Sequence, residues 1–340
     1  MVQFYRKYVY LCVSLSLMLI CLSLTENGNQ ASISISNDGL SAGYQFPVMR
    51  GKSNSNEAKP LRVGFLGVEK CGTQALFEFA RQHPYIYFLT GEHICKHPSN
   101  FKDESASFRD KYKVIAFRDN SCWKNPSAFD RHVSLRPHKI VILLCDPVFR
   151  AFSMYMHHVD FNPKDREYGS FDQCVSNEIN YLDGIKLRIL QGKTVKGSKR
   201  KSSFADFVSN VHGGPLPIVS LGIYSLRLGE FLKRYQRKDV LILSGETLLK
   251  DPGSLMLELQ SFLGLHPYIT PKSFYVNAST NLHCMNSVSN QRVCLYKKKS
   301  RTRGENKPTP EPTVVEKLSE FYRPFNKQLY ATLNQTFDWV

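Results

Sequence analysis

The 340-residue chain carries 45 basic against 29 acidic side chains, a formal charge of +16, and 42% of its residues are hydrophobic. That apolar share can bury a core and excludes a disordered polyelectrolyte, while the charge favours a polyanionic partner such as nucleic acid, anionic lipid or sulfated glycan. The length leaves room for about one large domain once terminal segments are set aside.

Arg6 and Lys7 precede an uncharged run from Tyr8 to Leu24, and Thr25 and Glu26 follow it. Such a run is near the lower limit for a spanning helix, no small-x-small cleavage site follows, and its basic flank stays cytosolic. The expected organisation is a cytosolic tail (1–7), a transmembrane signal anchor (8–24), a flexible luminal stem rich in Ser, Asn and Gly (25–59) and a folded domain (60–340). A luminal domain meets no nucleic acid, so a basic surface there is expected to meet glycans.

The first folded unit is a short apolar strand, Leu61 to Leu66, then a loop opening at Gly67 and a helix from Thr73 that Pro84 is expected to end. A second buried strand, Lys139 to Leu144, leads through Asp146 and Pro147 into a helix containing Arg150, Phe152 and Tyr155. The basic stretch Lys193 to Lys201 reads as a solvated loop. A helix from Tyr224 to Tyr235 precedes a third strand, Val240 to Leu243, and a further helix starts near Asp251 and Pro252 and runs to Phe262. Strands alternating with helices predict an α/β domain whose central parallel sheet is flanked by helices on both faces.

Nine cysteines are present, two of them (Cys12 and Cys21) in the apolar run, so an odd number lies beyond it and at least one thiol stays free or pairs with another chain. Cys284 and Cys294 close a short polar loop whose spacing suits a disulfide hairpin in an oxidising compartment. A zinc site would need partner ligands at finger-like spacing, which the sequence does not supply, and no metal is expected. Asn277 (NAS) and Asn334 (NQT) are glycosylation acceptors by sequence.

The loop Gly67-Val-Glu-Lys-Cys-Gly-Thr73 joins a buried strand to a helix N-terminus, where free N–H groups and the helix dipole favour an anion. Its lysine lies inside the loop at Lys70, whereas an ATPase or GTPase loop carries lysine after the second glycine, the place held here by Thr73. Lys70, Gly72 and Thr73 resemble the donor loop of sulfotransferases of the heparan sulfate 3-O and N-sulfotransferase group, whose pattern is strand, KGGT, helix. The resemblance covers most of the luminal chain. KIVILLCDPVFRAFSMY (139–155) is similar to the family's strand, RDP and helix serine, and LGIYSLRLGEFLKRY with LILSGETLLKDP (221–252) to its return to the sheet. FYVNASTNLHC, VCLYKKKSRTRG and FYRPFNKQLY resemble its C-terminal disulfide loop, basic donor-binding loop and closing helix, in that order.

The resemblance implies a single P-loop-like sulfotransferase domain using PAPS (3'-phosphoadenylyl sulfate) as donor and heparan sulfate or a related glycan as acceptor, anchored in the Golgi membrane. Lys70 would stabilise charge on the leaving oxygen, with Cys71, Gly72, Thr73 and Gln74 around the 5' phosphate. Cys145 and Ser153 stand at the family's 3'-phosphate positions, and Lys299, Ser300, Arg301, Thr302 and Arg303 form the closing loop. Glu92, eight residues after Pro84, matches the catalytic glutamate and would act as general base, with His93 or His97 as possible assistants. Four substitutions depart from the pattern in the donor site: Cys71 for a glycine, Gln74 for an arginine, Cys145 for the arginine of RDP and Ser300 for the glycine between the late lysine and arginine. Losing the arginine of RDP costs about 1.5 to 3 kcal/mol, roughly ten- to a hundredfold in affinity. A substrate-contacting lysine in a KTP-like setting is expected between Lys111 and Asp119, where Arg118 is the nearest candidate. The alternative is a catalytically inactive member of the fold that binds sulfated glycans.

Overall fold

The computed structural model describes residues 59–89, 95, 111–131, 136–161, 169–191, 204, 207–208, 217–286, 292–294 and 309–339. The apolar run 8–24 and the stem lie outside these residues, and no helix among the described residues is long and apolar enough to cross a membrane.

Five parallel strands form the central sheet: β1 (Leu61–Phe65), β2 (Ile86–Phe88), β3 (Val114–Arg118), β4 (Lys139–Leu144) and β5 (Val240–Ser244), in the order β2-β3-β1-β4-β5. β4 is an unbroken run of β-branched and leucine residues after Lys139, and its last five are buried, as expected for a strand covered on both faces. It pairs with β1 from Val63↔Lys139 to Phe65↔Val141 and with β5 from Ile140↔Val240 to Leu144↔Ser244. The three strands expected from the sequence are present, and the sheet gains β2 and β3, whose segments showed no comparable run bounded by turn residues. The sheet is covered by helices, as the alternation of elements implied.

Helix α1 (Thr73–Ala80) follows β1 and ends before Pro84, because Gln82 and His83 donate to Phe79 and Ala80 in turns that already leave the helix. Two short helices, α2 (Asn120–Lys124) and α3 (Ala128–Arg131), follow β3. α4 (Pro147–Phe161) leaves β4, and α5 (Phe171–Leu190) starts at a capping box in which Ser170 and Gln173 satisfy each other's backbone N–H. α6 (Tyr224–Leu232) ends three residues short of Tyr235. β5 runs into α7 (Gly245–Lys250), a segment to which the sequence reading gave no element, and then into α8 (Pro252–Phe262), where a helix was expected. Asp251 ends one and caps the other, its side chain accepting from Ser254 N–H at 3.0 Å.

A small antiparallel sheet, β6 (Phe274–Asn277), β7 (Leu282–Asn286) and β8 (Arg292–Cys294), precedes the long closing helix α9 (Pro312–Leu333). One hydrophobic cluster surrounds the main sheet, and a second joins α4, α5 and α9 through Val148, Val175, Leu221, Leu318 and Tyr322.

Candidate active site

From β1 the chain builds outward to β2 and β3 on one side, then crosses to β4 and β5 on the other. The order reverses between β1 and β4. In an open parallel sheet, the carboxyl ends of two such strands diverge into a crevice where ligands bind. The loop after β1 and the turn after β4 form its walls.

Backbone shape sets the first wall. Gly72 has φ 96°, and Lys70 also takes a left-handed conformation, with φ 77°. A side chain at Gly67 would stand 2.0 Å from Thr73 Cγ2, so the loop folds tightly back upon its own end. At the start of α1, Ala75 and Leu76 N–H donate to the Gly72 carbonyl at 2.9 and 3.1 Å, which leaves the N–H groups of Gly72, Thr73 and Gln74 without intrahelical acceptors. Lys70 is exposed and Cys71 buried. The Gln74 amide donates to Glu78 Oε1 at 2.7 Å, which turns that side chain along α1.

The two cysteines that depart from the family pattern are joined to each other. Cys71 and Cys145 form a disulfide across 74 positions of sequence, with Cα atoms 5.3 Å apart. Tyr224, fully buried on α6, donates to the Cys145 carbonyl at 2.9 Å, and its hydroxyl lies 3.8 Å from the Cys71 sulfur. A Cβ at Gly245 would come within 2.8 Å of the Cys71 carbonyl oxygen and 3.0 Å of Cys145 Cβ, so only glycine fits at the start of α7. Loops from β1, β4 and β5 therefore meet at this bond. The sequence reading treated both cysteines as losses in the donor site; it did not pair them.

Ser153 lies on α4 one turn before His157, on the same face. Burial, and then the nearby Lys70 charge, lower the His157 pKa, so this face of α4 looks toward the loop. Glu69 pairs with Lys124 at 2.7 Å, both partly exposed. Arg118 instead lies over the Phe77 ring, its guanidinium carbon 5.1 Å from the centroid. Through its pair with Glu69, Lys124, at the end of α2, stands beside the loop after β1, and Asn125 and Pro126 follow it in a KNP tripeptide.

A second disulfide, Cys95–Cys122, ties the chain downstream of Glu92 to α2. Asp119 lies close to both sulfurs, but its carboxylate already accepts from Cys95 N–H at 2.9 Å and Ser121 N–H at 2.7 Å, and both thiols are consumed in the bond. Glu92, His93, His97 and the closing-loop residues Lys299, Ser300, Arg301, Thr302 and Arg303 lie outside the described residues. Cys284 and Cys294 are bonded across β7 and β8, and Cys174 keeps a buried thiol that faces the Gly169 carbonyl at 4.0 Å. Asn277 Oδ1 accepts from Ser279 N–H and Oγ at 2.9 and 2.7 Å, while Asn334 is exposed at the end of α9 with φ 52°.

Behind the crevice lies a buried charged cluster that the sequence reading missed. The Glu178 carboxylate accepts N–H groups from Ile218, Val219 and Ser220 at 2.8, 2.7 and 2.8 Å. Arg150 donates to the Ile218 carbonyl, and Tyr322 to the Val219 carbonyl at 2.8 Å. Burial pushes the Glu178 carboxyl up and, with Arg150 nearby, brings Arg227 down to about 10. The signal was a glutamate among Phe171, Cys174, Val175, Leu182 and Ile185, the apolar positions of α5.

Residues 62–334 match the sulfotransferase domain family. The chain belongs to that family. It is 27% identical over 307 residues to the human heparan sulfate glucosamine 3-O-sulfotransferase 3B1, covering 86% of this chain and 68% of that one. To the human 3-O-sulfotransferase 3A1 it is 28% identical, over 81% of this chain and 61% of the relative, so it spans about two thirds of the length of such relatives. The mouse 3-O-sulfotransferase 6 is 29% identical over 86% of this chain and 77% of its own. A bacterial sulfotransferase from Alicyclobacillus acidocaldarius shares the fold, with a TM-score of 0.53 at 21% identity over 82% of this chain and 98% of that one.

Proposed function

We propose that this sulfotransferase-family protein moves a sulfuryl group from PAPS to a glucosamine residue of heparan sulfate or a related glycan, with the 3-hydroxyl as acceptor. The observation that carries the reading is the loop Lys70–Thr73 at the reversal of strand order, where unpaired helix N–H groups and a lysine converge. The named relatives, all heparan sulfate glucosamine 3-O-sulfotransferases, supply the acceptor class.

Sulfuryl transfer resembles phosphoryl transfer in needing position and charge stabilisation more than covalent participation. Gly72 and Thr73 would hold the 5' phosphate by their N–H groups, Ser153 would reach the 3' phosphate, and Lys70 would meet the charge on the phosphate oxygen released as its bond to sulfur breaks. Glu92 would take the acceptor hydroxyl proton as the new oxygen–sulfur bond forms. Lys124 is the lysine of this chain suited to contact the acceptor. Lys299, Ser300, Arg301, Thr302 and Arg303 would close over the donor.

Three disulfides fit an oxidising compartment, and we assign the domain to the Golgi lumen behind an anchor at 8–24, glycosylated at Asn277 and Asn334. One observation favours a second reading, a glycan-binding relic: the position of the 3'-phosphate arginine is consumed in a disulfide. Calorimetric titration of adenosine 3',5'-bisphosphate into the purified full chain separates the two. Micromolar binding abolished by Lys70→Ala supports the transferase; no binding at millimolar nucleotide by a folded protein rejects it.

A further inference from the structure

The Cys71–Cys145 bond stands where the sheet stops holding the donor loop. Along the β1/β4 seam, Leu66 N–H donates to Val141 at 2.9 Å and Val68 N–H to Leu143 at 3.1 Å. Beyond Val68 the ladder ends, and the next backbone bond is local, Cys71 N–H to Val68 at 3.1 Å. A disulfide with Cα atoms 5.3 Å apart matches the spacing of neighbouring strands, so it extends the seam by one covalent rung at the height of Lys70 and Gly72. The strands themselves are already fixed by hydrogen bonds. What the bond adds is the placement of residues 69–72.

The rung is held in turn. The Tyr224 hydroxyl fixes the Cys145 carbonyl, and Gly245 lets α7 pack directly upon both half-cystines. Tyr224 is itself wedged between Trp123 and Trp339, with ring centroids 6.2 and 5.6 Å away. A loop immobilised in this way loses little freedom when an anion settles on its N–H groups, and that saving appears as affinity. An arginine at position 145 grips a phosphate by charge; an uncharged disulfide can only hold the groups that do.

We propose that Cys71 and Cys145 act together as the positioning device of the donor crevice, replacing a charged contact with a covalently pre-set anion loop. This rests on the donor reading above, so the test has one arm that needs no nucleotide. Hydrogen–deuterium exchange of the peptide spanning 67–76 is compared between the full chain and Cys71→Ala/Cys145→Ala, both checked for native near-ultraviolet dichroism. Exchange in this segment at least tenfold faster in the variant, beyond the general rise that its lower stability brings to the core amides, is expected; a rise no greater than that general one overturns the proposal.

In the second arm, adenosine 3',5'-bisphosphate affinity and the KM for PAPS are measured on the same proteins and on Cys71→Gly/Cys145→Arg, which also serves if the double alanine form fails to fold. Removing the bond should weaken nucleotide binding about tenfold and raise KM with little change in kcat, and the Gly/Arg form should recover it. Tighter binding without the bond would mean that the bond blocks the crevice and would sink the proposal. Binding by the Gly/Arg form alone would overturn the donor reading of the native chain, while the exchange result would still decide whether the bond sets the loop.

Discussion

Two of the three disulfides among the described residues have opposite reach. Cys284–Cys294 joins facing residues of β7 and β8 only 10 positions apart, at the edge of the small sheet. Cys71–Cys145 joins loops 74 positions apart at the carboxyl ends of β1 and β4, inside the crevice. The first secures a local ribbon that has little core of its own. The second closes nearly a quarter of the chain and governs the position of the groups proposed to hold the donor. A disulfide's importance here follows from what it spans and where it lies, and sequence spacing reports only the short one.

Breaking the long bond should therefore cost most. The chain-entropy account gives about 4.5 kcal/mol for Cys71→Ala/Cys145→Ala, read as a lower urea midpoint with a steeper slope, because the unfolded chain without the crosslink exposes more surface. The buried cluster behind the crevice comes next. Glu178→Ala leaves three N–H groups from Ile218, Val219 and Ser220 without their acceptor and should cost on the order of 4 kcal/mol in the same measurement. Glu178→Gln, which keeps a carbonyl acceptor, should cost less than the alanine form. The short bond follows: Cys284→Ala/Cys294→Ala should cost about 2.8 kcal/mol by the same account, without altering exchange in residues 67–76. A larger loss than for the long bond would reverse the comparison.

These two regions also show what a sequence can and cannot disclose. β1, β4 and β5 were legible because each is a short apolar run bounded by turn residues, and the order of motifs placed the donor loop at the end of the first. β3 was hidden because Lys113 and Arg118 flank its apolar residues, so the segment read as a place for a substrate lysine. Lys124, which the proposal places at the acceptor, lies beyond that segment, and its pairing with Glu69 has no local sequence signal. The Cys71–Cys145 pairing had no local signal at all. It depends on β1 and β4 being neighbours, which is a property of strand order, and each cysteine considered alone looked like a lost contact.

The smallest stability effect belongs to the crevice surface, where binding should change instead. Lys124→Met breaks a partly exposed pair with Glu69 and should alter stability by less than about 1 kcal/mol. If Lys124 meets the acceptor, the same change should raise the acceptor KM and leave nucleotide affinity intact. His157 supplies a pH readout of the donor side. Burial and then Lys70 lower its pKa, His158 adds to that and Glu69 and Asp160 work against it, so the neutral imidazole is favoured more than in an ordinary histidine. An anion bound beside Lys70 would favour the imidazolium, which couples binding to proton uptake. Nucleotide affinity should thus rise as pH falls from 7 through the region below 6.5, and His157→Gln should remove that rise without abolishing binding at pH 7. A pH dependence identical in the variant would place the nucleotide away from this face of α4 and separate Ser153 from the 3' phosphate.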